Sequence, residues 1–158
     1  MSKIKTVGIV GTGVIGTGWI IRNLAHNKIV HAYDQNKNLK NYVLKEIKRT
    51  SKSIKKLFGK KILIKNLKFF NSLEKALSNV DFVQESVLEN YKVKTDLIQK
   101  ISKYVKSNVI ISSSSSGLLP SKIFSKCKNP QRGIIGHPFN PVYLLPCLLY
   151  TSDAADDP

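Results

Sequence analysis

Three glycines at the spacing Gly11-x-Gly13-x-x-Gly16 constrain the fold more than any other feature of this sequence. They follow a short apolar run, residues 5–10, and precede a stretch of helical periodicity that reaches about residue 27. The order of strand, glycines and helix is typical of a site for the diphosphate of a dinucleotide. Gly11 permits a tight turn, Gly13 allows the phosphates to approach the backbone, and Gly16 allows the helix and strand to pack closely.

An acidic residue after the next predicted strand indicates which dinucleotide fits. Residues 29–33 form this strand and lead directly into Asp34, about 20 positions after the glycines. A carboxylate there would bind the adenosine ribose hydroxyls of NAD and repel the 2′-phosphate of NADP. The sequence therefore predicts an NAD site at which Val14 and Ile15, at the helix N-terminus, offer amide groups to the diphosphate.

Strand and helix signals alternate along the rest of the chain. This alternation predicts one α/β domain with a Rossmann-type, doubly wound, mainly parallel sheet. A chain of 158 residues with 42% hydrophobic content is long enough to bury a core. Beyond the first two strands and the first helix, the predicted strands are 67–70, 80–85, 108–111 and 132–136, and the predicted helices are 36–58, 73–78, 91–104 and a short one from Pro120.

The composition argues against several functional classes. A net charge of +16 is typical of a nucleic-acid binder, but the lysines are scattered and lack interleaved aromatic residues for base stacking. No apolar run has the length of a membrane span, and the N-terminus lacks the apolar segment of a signal peptide. Cys127 and Cys147 form neither a disulfide framework nor a metal cluster. We therefore expect a cytoplasmic protein with no metal and with neither nucleic acid nor a membrane as partner.

Polar residues follow the predicted strands at the edge of the sheet where ligands bind in such folds. His137 comes directly after the sixth predicted strand, and an imidazole suits removal of a hydroxyl proton during hydride transfer from a secondary alcohol. Ser116, which ends a serine run after the fifth strand, could hydrogen-bond the same substrate oxygen. A single histidine in a loop is also often an ordinary hydrogen-bonded residue, so the sequence alone leaves both interpretations of His137 open.

The chain resembles the 3-hydroxyacyl-CoA dehydrogenase superfamily over positions 4–146, in the segments GTGVIGTGWI, DFVQESVLENYKVK, SSSSSGLLPS and GHPFNPVYLLP. This resemblance implies that Glu89 and Lys94 contact NAD. It implies that Ser116 contacts both the nicotinamide and the substrate oxygen, that His137 is the catalytic base, and that Asn140 contacts the substrate. For the complete enzyme, it also implies a homodimer.

Within this superfamily, Gly18-Trp19, the serine-rich segment and HPFNPVYLLP look most like the L-carnitine 3-dehydrogenases. That likeness implies oxidation of L-carnitine to 3-dehydrocarnitine with hydride transfer to NAD. A 3-hydroxyacyl-CoA such as 3-hydroxybutyryl-CoA, or L-gulonate, is the alternative substrate, although the short segment between Asn36 and Leu67 argues against a CoA ester. A non-catalytic nucleotide-binding module is the alternative from another functional class.

The chain departs from the family pattern after Pro146. The family has a glutamate that orients the histidine at the position of Leu149, and the C-terminal helical domain that follows in the family is missing here. Residues 147–157 resemble a reading frame of a common transposase sequencing-library adaptor. We therefore predict an NAD-binding Rossmann domain at residues 1–146, a non-native tail at residues 147–158, and no turnover by this chain alone.

Overall fold

A single mixed sheet forms the centre of the computed structural model, which describes residues 4–145 and the backbone of residues 147–150. Its strands are β1 (Thr6–Val10), β2 (Ile29–Tyr33), β3 (Leu67–Phe70), β4 (Phe82–Glu85), β5 (Ile110–Ser113), β6 (Gly133–Pro138) and β7 (Cys147–Tyr150). They lie in the order β3-β2-β1-β4-β5-β6-β7. Neighbouring strands from β3 to β6 are parallel, and β7 pairs antiparallel with β6.

The helices connect these strands in a doubly wound pattern. They are α1 (Val14–Ala25), α2 (Leu39–Phe58), α3 (Leu73–Leu77), α4 (Tyr91–Tyr104) and α5 (Pro120–Ile123), and single 3₁₀ turns occur at Ile64–Asn66 and Pro130–Arg132. The chain builds outward from β1 to β3, returns to place β4 beside β1, and then builds in the other direction. This confirms the predicted Rossmann-type sheet. It also places the reversal of strand order between β1 and β4, where such sheets bind ligands at the carboxyl ends of the strands.

Apolar cores lie on both faces of the sheet. Ile9 and Val10 are adjacent in β1, yet they belong to opposite cores, because successive strand side chains point to opposite faces. The first core is covered by α1 and α2, and the second by the helices that follow β3, β4 and β5. Burial on both faces explains why the central strands read as continuous apolar runs rather than as alternating ones.

Two predicted helix boundaries are confirmed. Gly59 ends α2 in the left-handed conformation, with φ of 63°, which glycine adopts without a steric penalty. Ser72 caps α3, because its hydroxyl accepts a hydrogen bond from the Lys75 amide at 3.4 Å.

Two strands end later along the chain than the sequence predicts. β5 includes Ser112 and Ser113, and β6 includes His137 and Pro138, because pairing with neighbouring strands outweighs the weak strand propensity of these residues. The edge strand β7 was not predicted either. Residues 1–3, 146 and 151–158 lie outside the described residues, and the predicted domain boundary and non-native tail stay predictions. Within the described part, no helix is both long and apolar enough to cross a membrane.

Candidate active site

The glycine-rich turn after β1 has backbone geometry that side chains would disrupt. Gly11 has φ of 88°, and a Cβ placed on it would lie 2.6 Å from the carbonyl oxygen of Ser86. A Cβ on Gly16 would lie 1.8 Å from the carbonyl oxygen of Gly11, so α1 packs directly against the turn. A Cβ on Gly13, in contrast, would meet no described atom within 4 Å. Gly11 and Gly16 therefore shape the turn, whereas Gly13 faces open space where a ligand can approach.

The N-terminus of α1 is suited to an anion. The helix starts at Val14 and Ile15, directly after Gly13, and the described residues provide neither a side-chain cap nor an acidic residue in its first turn. The Thr17 hydroxyl donates a hydrogen bond to the Thr12 carbonyl oxygen at 2.8 Å, which ties the helix to the turn. No carboxylate in the first turn of α1 therefore neutralises the positive end of the helix dipole, and this leaves it available for a diphosphate.

Asp34 is held in a fixed orientation beside this turn. One of its carboxylate oxygens accepts hydrogen bonds from the Thr12 amide at 2.6 Å and the Thr12 hydroxyl at 3.2 Å. The other oxygen accepts from the Asn36 amide at 2.8 Å. Since a carboxylate has about four acceptor positions, these bonds orient Asp34 and leave acceptor capacity for a ribose diol.

A cleft of about 670 Å³ opens at the carboxyl ends of β1, β2 and β4. Gly11, Gly13 and Asp34 line it on one side, and apolar residues of the loop after β4 and of α4 line it on the other. The lining also includes the charged residues Asp96 and Lys100 of α4, so polar and apolar groups contribute about equally to it. A crevice at the carboxyl ends of parallel strands, where the strand order reverses, is where such sheets bind ligands. The apolar lining residues on that second side are Val87, Leu88, Val93 and Leu97.

A buried ion pair joins β4 to α4 beside this cleft. The Lys94 ammonium lies 2.9 and 3.0 Å from the two carboxylate oxygens of Glu85, and both side chains are almost completely buried. The Glu85 carboxylate also accepts hydrogen bonds from the Val87 amide at 2.6 Å and the Ser113 hydroxyl at 2.5 Å. Lys94 further donates to the Val87 carbonyl oxygen at 3.3 Å and lies 3.4 Å from the Glu89 carboxylate.

Glu89 connects this ion pair to the loop after β5. One of its carboxylate oxygens accepts hydrogen bonds from the Ser115 hydroxyl at 2.6 Å, the Ser116 amide at 2.8 Å and the Gly117 amide at 3.3 Å. Partial burial alone would raise the pKa of Glu89. The hydrogen bonds from Ser115 and Ser116 and the charge of Lys94 outweigh that burial, so the pKa lies below its ordinary value. Glu89 is therefore a carboxylate at neutral pH.

The serine run, which begins in β5 and continues into the loop before α5, has specific partners on two sides. The Ser114 hydroxyl accepts hydrogen bonds from the Trp19 indole at 3.2 Å and the Gln84 amide at 2.8 Å. Ser113 and Ser115 instead donate to glutamates on the other side, as described above. The run is thus an ordered connector between α1, β4 and the loop after β4. Sequence composition alone gives it the appearance of a low-complexity loop.

His137 and Asn140 lie at the same sheet edge, one strand further on. His137 is half-buried in β6, with its ring centroid 6.3 Å from that of Phe139, and Asn140 is exposed in the following loop. In the β6–β7 register, His137 is opposite Leu148, and Leu149 is opposite Gly136. The position for which the family resemblance implies a glutamate is therefore one residue out of register with His137.

The structure brings the predicted site residues together in two groups. In the first group, Asp34 contacts the glycine turn. In the second group, Glu89, Lys94 and Ser116 form one polar network. His137 lies in β6, the strand that pairs with β5 beside this network. Sequence reasoning missed Glu85, which is the anionic partner of Lys94. The available signal was a charged residue at the end of a predicted central strand, since a charge that is buried there needs a partner.

Residues 6–149 match the family model described as the NAD binding domain of 3-hydroxyacyl-CoA dehydrogenase. The L-carnitine dehydrogenase of Pseudomonas putida is 41% identical over 147 residues, which are 92% of this chain and 46% of that protein. The L-carnitine dehydrogenase of Oceanobacillus iheyensis is 40% identical over 144 residues, which are 90% of this chain and 47% of that protein. The chain thus spans about half the length of the curated relatives it matches.

Solved structures share the fold. The (S)-3-hydroxybutyryl-CoA dehydrogenase of Ralstonia eutropha has a TM-score of 0.85 and 26% identity, with 95% of this chain and 55% of that chain covered. The 3-hydroxybutyryl-CoA dehydrogenase of Escherichia coli has a TM-score of 0.81 and 22% identity, with 90% of this chain and 31% of that chain covered. At this lower identity, the second likeness concerns the fold alone.

Proposed function

Because this chain belongs to the 3-hydroxyacyl-CoA dehydrogenase family and matches its NAD-binding domain, we propose that it is the cofactor-binding part of a dehydrogenase that oxidises a secondary alcohol. The observation that carries the proposal is the pairing of an open glycine turn with a fixed Asp34 carboxylate. The turn and the N-terminus of α1, with Val14 and Ile15, would hold the diphosphate, and Asp34 would hold the adenosine ribose.

L-Carnitine is the proposed substrate. The two curated relatives reported above are named L-carnitine dehydrogenases and are 40–41% identical to this chain, whereas the similar 3-hydroxybutyryl-CoA dehydrogenase of Ralstonia eutropha is 26% identical. A 3-hydroxyacyl-CoA is the runner-up, since the matching family model carries that name. We propose that the complete enzyme is a cytoplasmic homodimer.

The chemistry of the proposed reaction is divided between cofactor and protein. NAD, when bound, supplies the acceptor for the hydride. His137 accepts the hydroxyl proton of the substrate at an imidazole nitrogen, and the Ser116 hydroxyl hydrogen-bonds the same substrate oxygen. The Glu89 carboxylate accepts a hydrogen bond from the Ser116 amide and so fixes the backbone at Ser116. Asn140, which is exposed after β6, would also contact the substrate.

This division of the chemistry also predicts that His137 needs a carboxylate partner that the 158-residue chain does not have at position 149. A carboxylate that orients a histidine and stabilises its protonated form raises its effectiveness as a base. Position 149, where the resemblance implies such a carboxylate, is a leucine. We therefore propose that this chain binds NAD and turns over no substrate by itself.

The proposal is tested with the complete gene product that contains this chain. Initial rates are measured with L-carnitine, 3-hydroxybutyryl-CoA and L-gulonate, each with NAD and with NADP. The expected result is the highest kcat/KM for L-carnitine with NAD. In the matched variants, His137→Gln should abolish turnover, whereas His26→Gln should retain it, because His26 is an exposed residue beside Lys60. A preference for the CoA ester would make the runner-up correct, and NAD binding without turnover of any alcohol would indicate a non-catalytic module.

A further inference from the structure

We infer that Glu85 is a positioning residue for the nicotinamide end of the site, acting through Lys94 on Glu89 and the serine loop 114–117. The inference rests on the proposed function in one respect, namely that Glu89 and Ser116 border the nicotinamide. Glu85 itself has 0% exposure, so it acts on a bound ligand only through its neighbours.

The hydrogen-bond pattern shows how Glu85 controls these neighbours. Its two carboxylate oxygens receive four contacts: from Lys94 twice, from the Val87 amide and from the Ser113 hydroxyl. These partners lie in α4, in the loop after β4 and at the end of β5. One buried carboxylate therefore fixes the relative positions of the segments that carry Glu89 and Ser116.

The charge balance explains why the neighbour most affected is Glu89. Lys94 is 1% exposed, and a buried ammonium needs a carboxylate partner. With Glu85 in place, Lys94 contacts Glu89 at the longer distance of 3.4 Å, and Glu89 remains free to accept the Ser115, Ser116 and Gly117 donors. Without the Glu85 charge, Glu89 becomes the single carboxylate near Lys94 among the contacts described here. The ammonium then draws it away from the serine loop.

The experiment compares two ligands that share their ADP-ribose part and differ in the nicotinamide. Isothermal titration calorimetry of the chain with NADH and with ADP-ribose measures both affinities. Their ratio is the nicotinamide gain, that is, the affinity added by the nicotinamide. The isosteric variant Glu85→Gln should reduce this gain by about tenfold, the effect of losing a charge-assisted hydrogen bond, while the affinity for ADP-ribose changes little. A purely structural role would instead lower both affinities together.

A double-mutant cycle tests the route of the effect. If Glu85 acts through Glu89, then Glu85→Gln should reduce the nicotinamide gain much less in a Glu89→Gln background than in the wild type. Equal losses in the two backgrounds, or a nicotinamide gain unchanged by Glu85→Gln, would overturn the inference. If the wild-type chain shows no nicotinamide gain at all, the proposed position of the nicotinamide is wrong and the inference fails with it.

A milder variant keeps the test decisive if Glu85→Gln does not fold, as judged by circular dichroism. Ser113→Ala removes one hydrogen bond to Glu85 and a weaker one that the Ser113 hydroxyl accepts from the Ser115 amide at 3.3 Å, and it leaves the Glu85–Lys94 ion pair in place. It should shift the nicotinamide gain in the same direction by about threefold, the effect of one ordinary hydrogen bond. An unchanged gain in a folded Ser113→Ala protein would likewise contradict the inference.

Discussion

The two ends of the ligand-binding edge are built differently. At the cofactor end, the glycine turn, α1 and Asp34 come from one continuous stretch, residues 6–36, and they meet mainly through backbone groups. At the other end, which we call the catalytic end after the role proposed for it, Glu89, Ser116 and His137 come from three separate segments. Buried charged side chains join the first two of these segments. The cofactor end thus depends on backbone shape, and the catalytic end depends on charge balance.

This difference predicts different weaknesses. Adding an atom at Gly11 or Gly16 should damage the cofactor end, because there is no room beside the backbone at these two positions. Removing a charge should damage the catalytic end, because the remaining partner would be buried alone. The following variants test each half of this comparison, from the largest expected effect to the smallest.

The largest effect is expected for Lys94→Met. Removing one partner of a buried ion pair costs about 3–5 kcal/mol of folding free energy, because the other charge stays buried without compensation. Urea unfolding followed by circular dichroism measures this loss. The control is Lys126→Met, which breaks an exposed pair with Asp96 and should cost less than about 1 kcal/mol. Similar losses in the two variants would show that the catalytic end does not depend on its buried charges.

The next effect concerns the glycine turn. Gly16→Ala places a Cβ 1.8 Å from the Gly11 carbonyl oxygen, so α1 must move away from the turn. We expect a loss of about 2–3 kcal/mol of stability and loss of NADH binding. The matched variant Gly13→Ala adds the same atom in open space and should cost about 1 kcal/mol or less, yet it should still weaken NADH binding. Equal stability of the two variants would contradict the described packing of α1.

A smaller effect is expected for Asp34→Ser, which removes the proposed ribose-binding carboxylate. The affinity for NADH should fall about tenfold relative to that for NADPH, since a charged acceptor is lost and the repulsion of a 2′-phosphate disappears. Calorimetric titration with both cofactors measures this ratio. Asp96→Ser removes another carboxylate that lines the same cleft and should leave the ratio unchanged. An unchanged ratio in Asp34→Ser would remove the basis for NAD selectivity.

The smallest effect is expected far from the site, at Asp81. Its carboxylate accepts hydrogen bonds from the Thr6 and Lys5 amides, both at 2.8 Å, and these bonds lower its pKa below the ordinary value of 3.8. Asp81 therefore stabilises the fold above about pH 4, and this contribution is lost as the pH falls through the lowered pKa. At neutral pH, Asp81→Asn should cost less than about 1 kcal/mol, because solvent screens this exposed group.

Unfolding free energies of wild type and Asp81→Asn between pH 7 and pH 3 test the sign of this effect. The difference between the two proteins should shrink as the pH is lowered. A difference that grows toward acid pH would contradict the assigned hydrogen bonds.

The comparison also explains what the sequence could predict. The spacing Gly11, Gly13 and Gly16 and the position of Asp34 are local patterns, and the predicted turn, helix and strands around them are confirmed. The doubly wound parallel sheet is confirmed as well, because alternating strands and helices allow few other arrangements.

The catalytic end was less predictable, because its contacts join residues distant in sequence. Glu85 and Ser113 are 28 positions apart, and their hydrogen bond leaves no periodic signal in the sequence. The extension of β6 through His137 likewise depends on pairing with a neighbouring strand, which local propensity does not encode. The roles of His137, Ser116 and Asn140 in catalysis stay predictions.

The most direct test of the account is calorimetric titration of the wild-type chain with NADH and NADPH. We expect weak but saturable binding of NADH at one site, at least about tenfold tighter than binding of NADPH, because Asp34 disfavours a second phosphate. Absence of saturable NADH binding by the folded chain, or equal affinity for the two cofactors, would contradict the conclusion that this edge of the sheet is a formed NAD site.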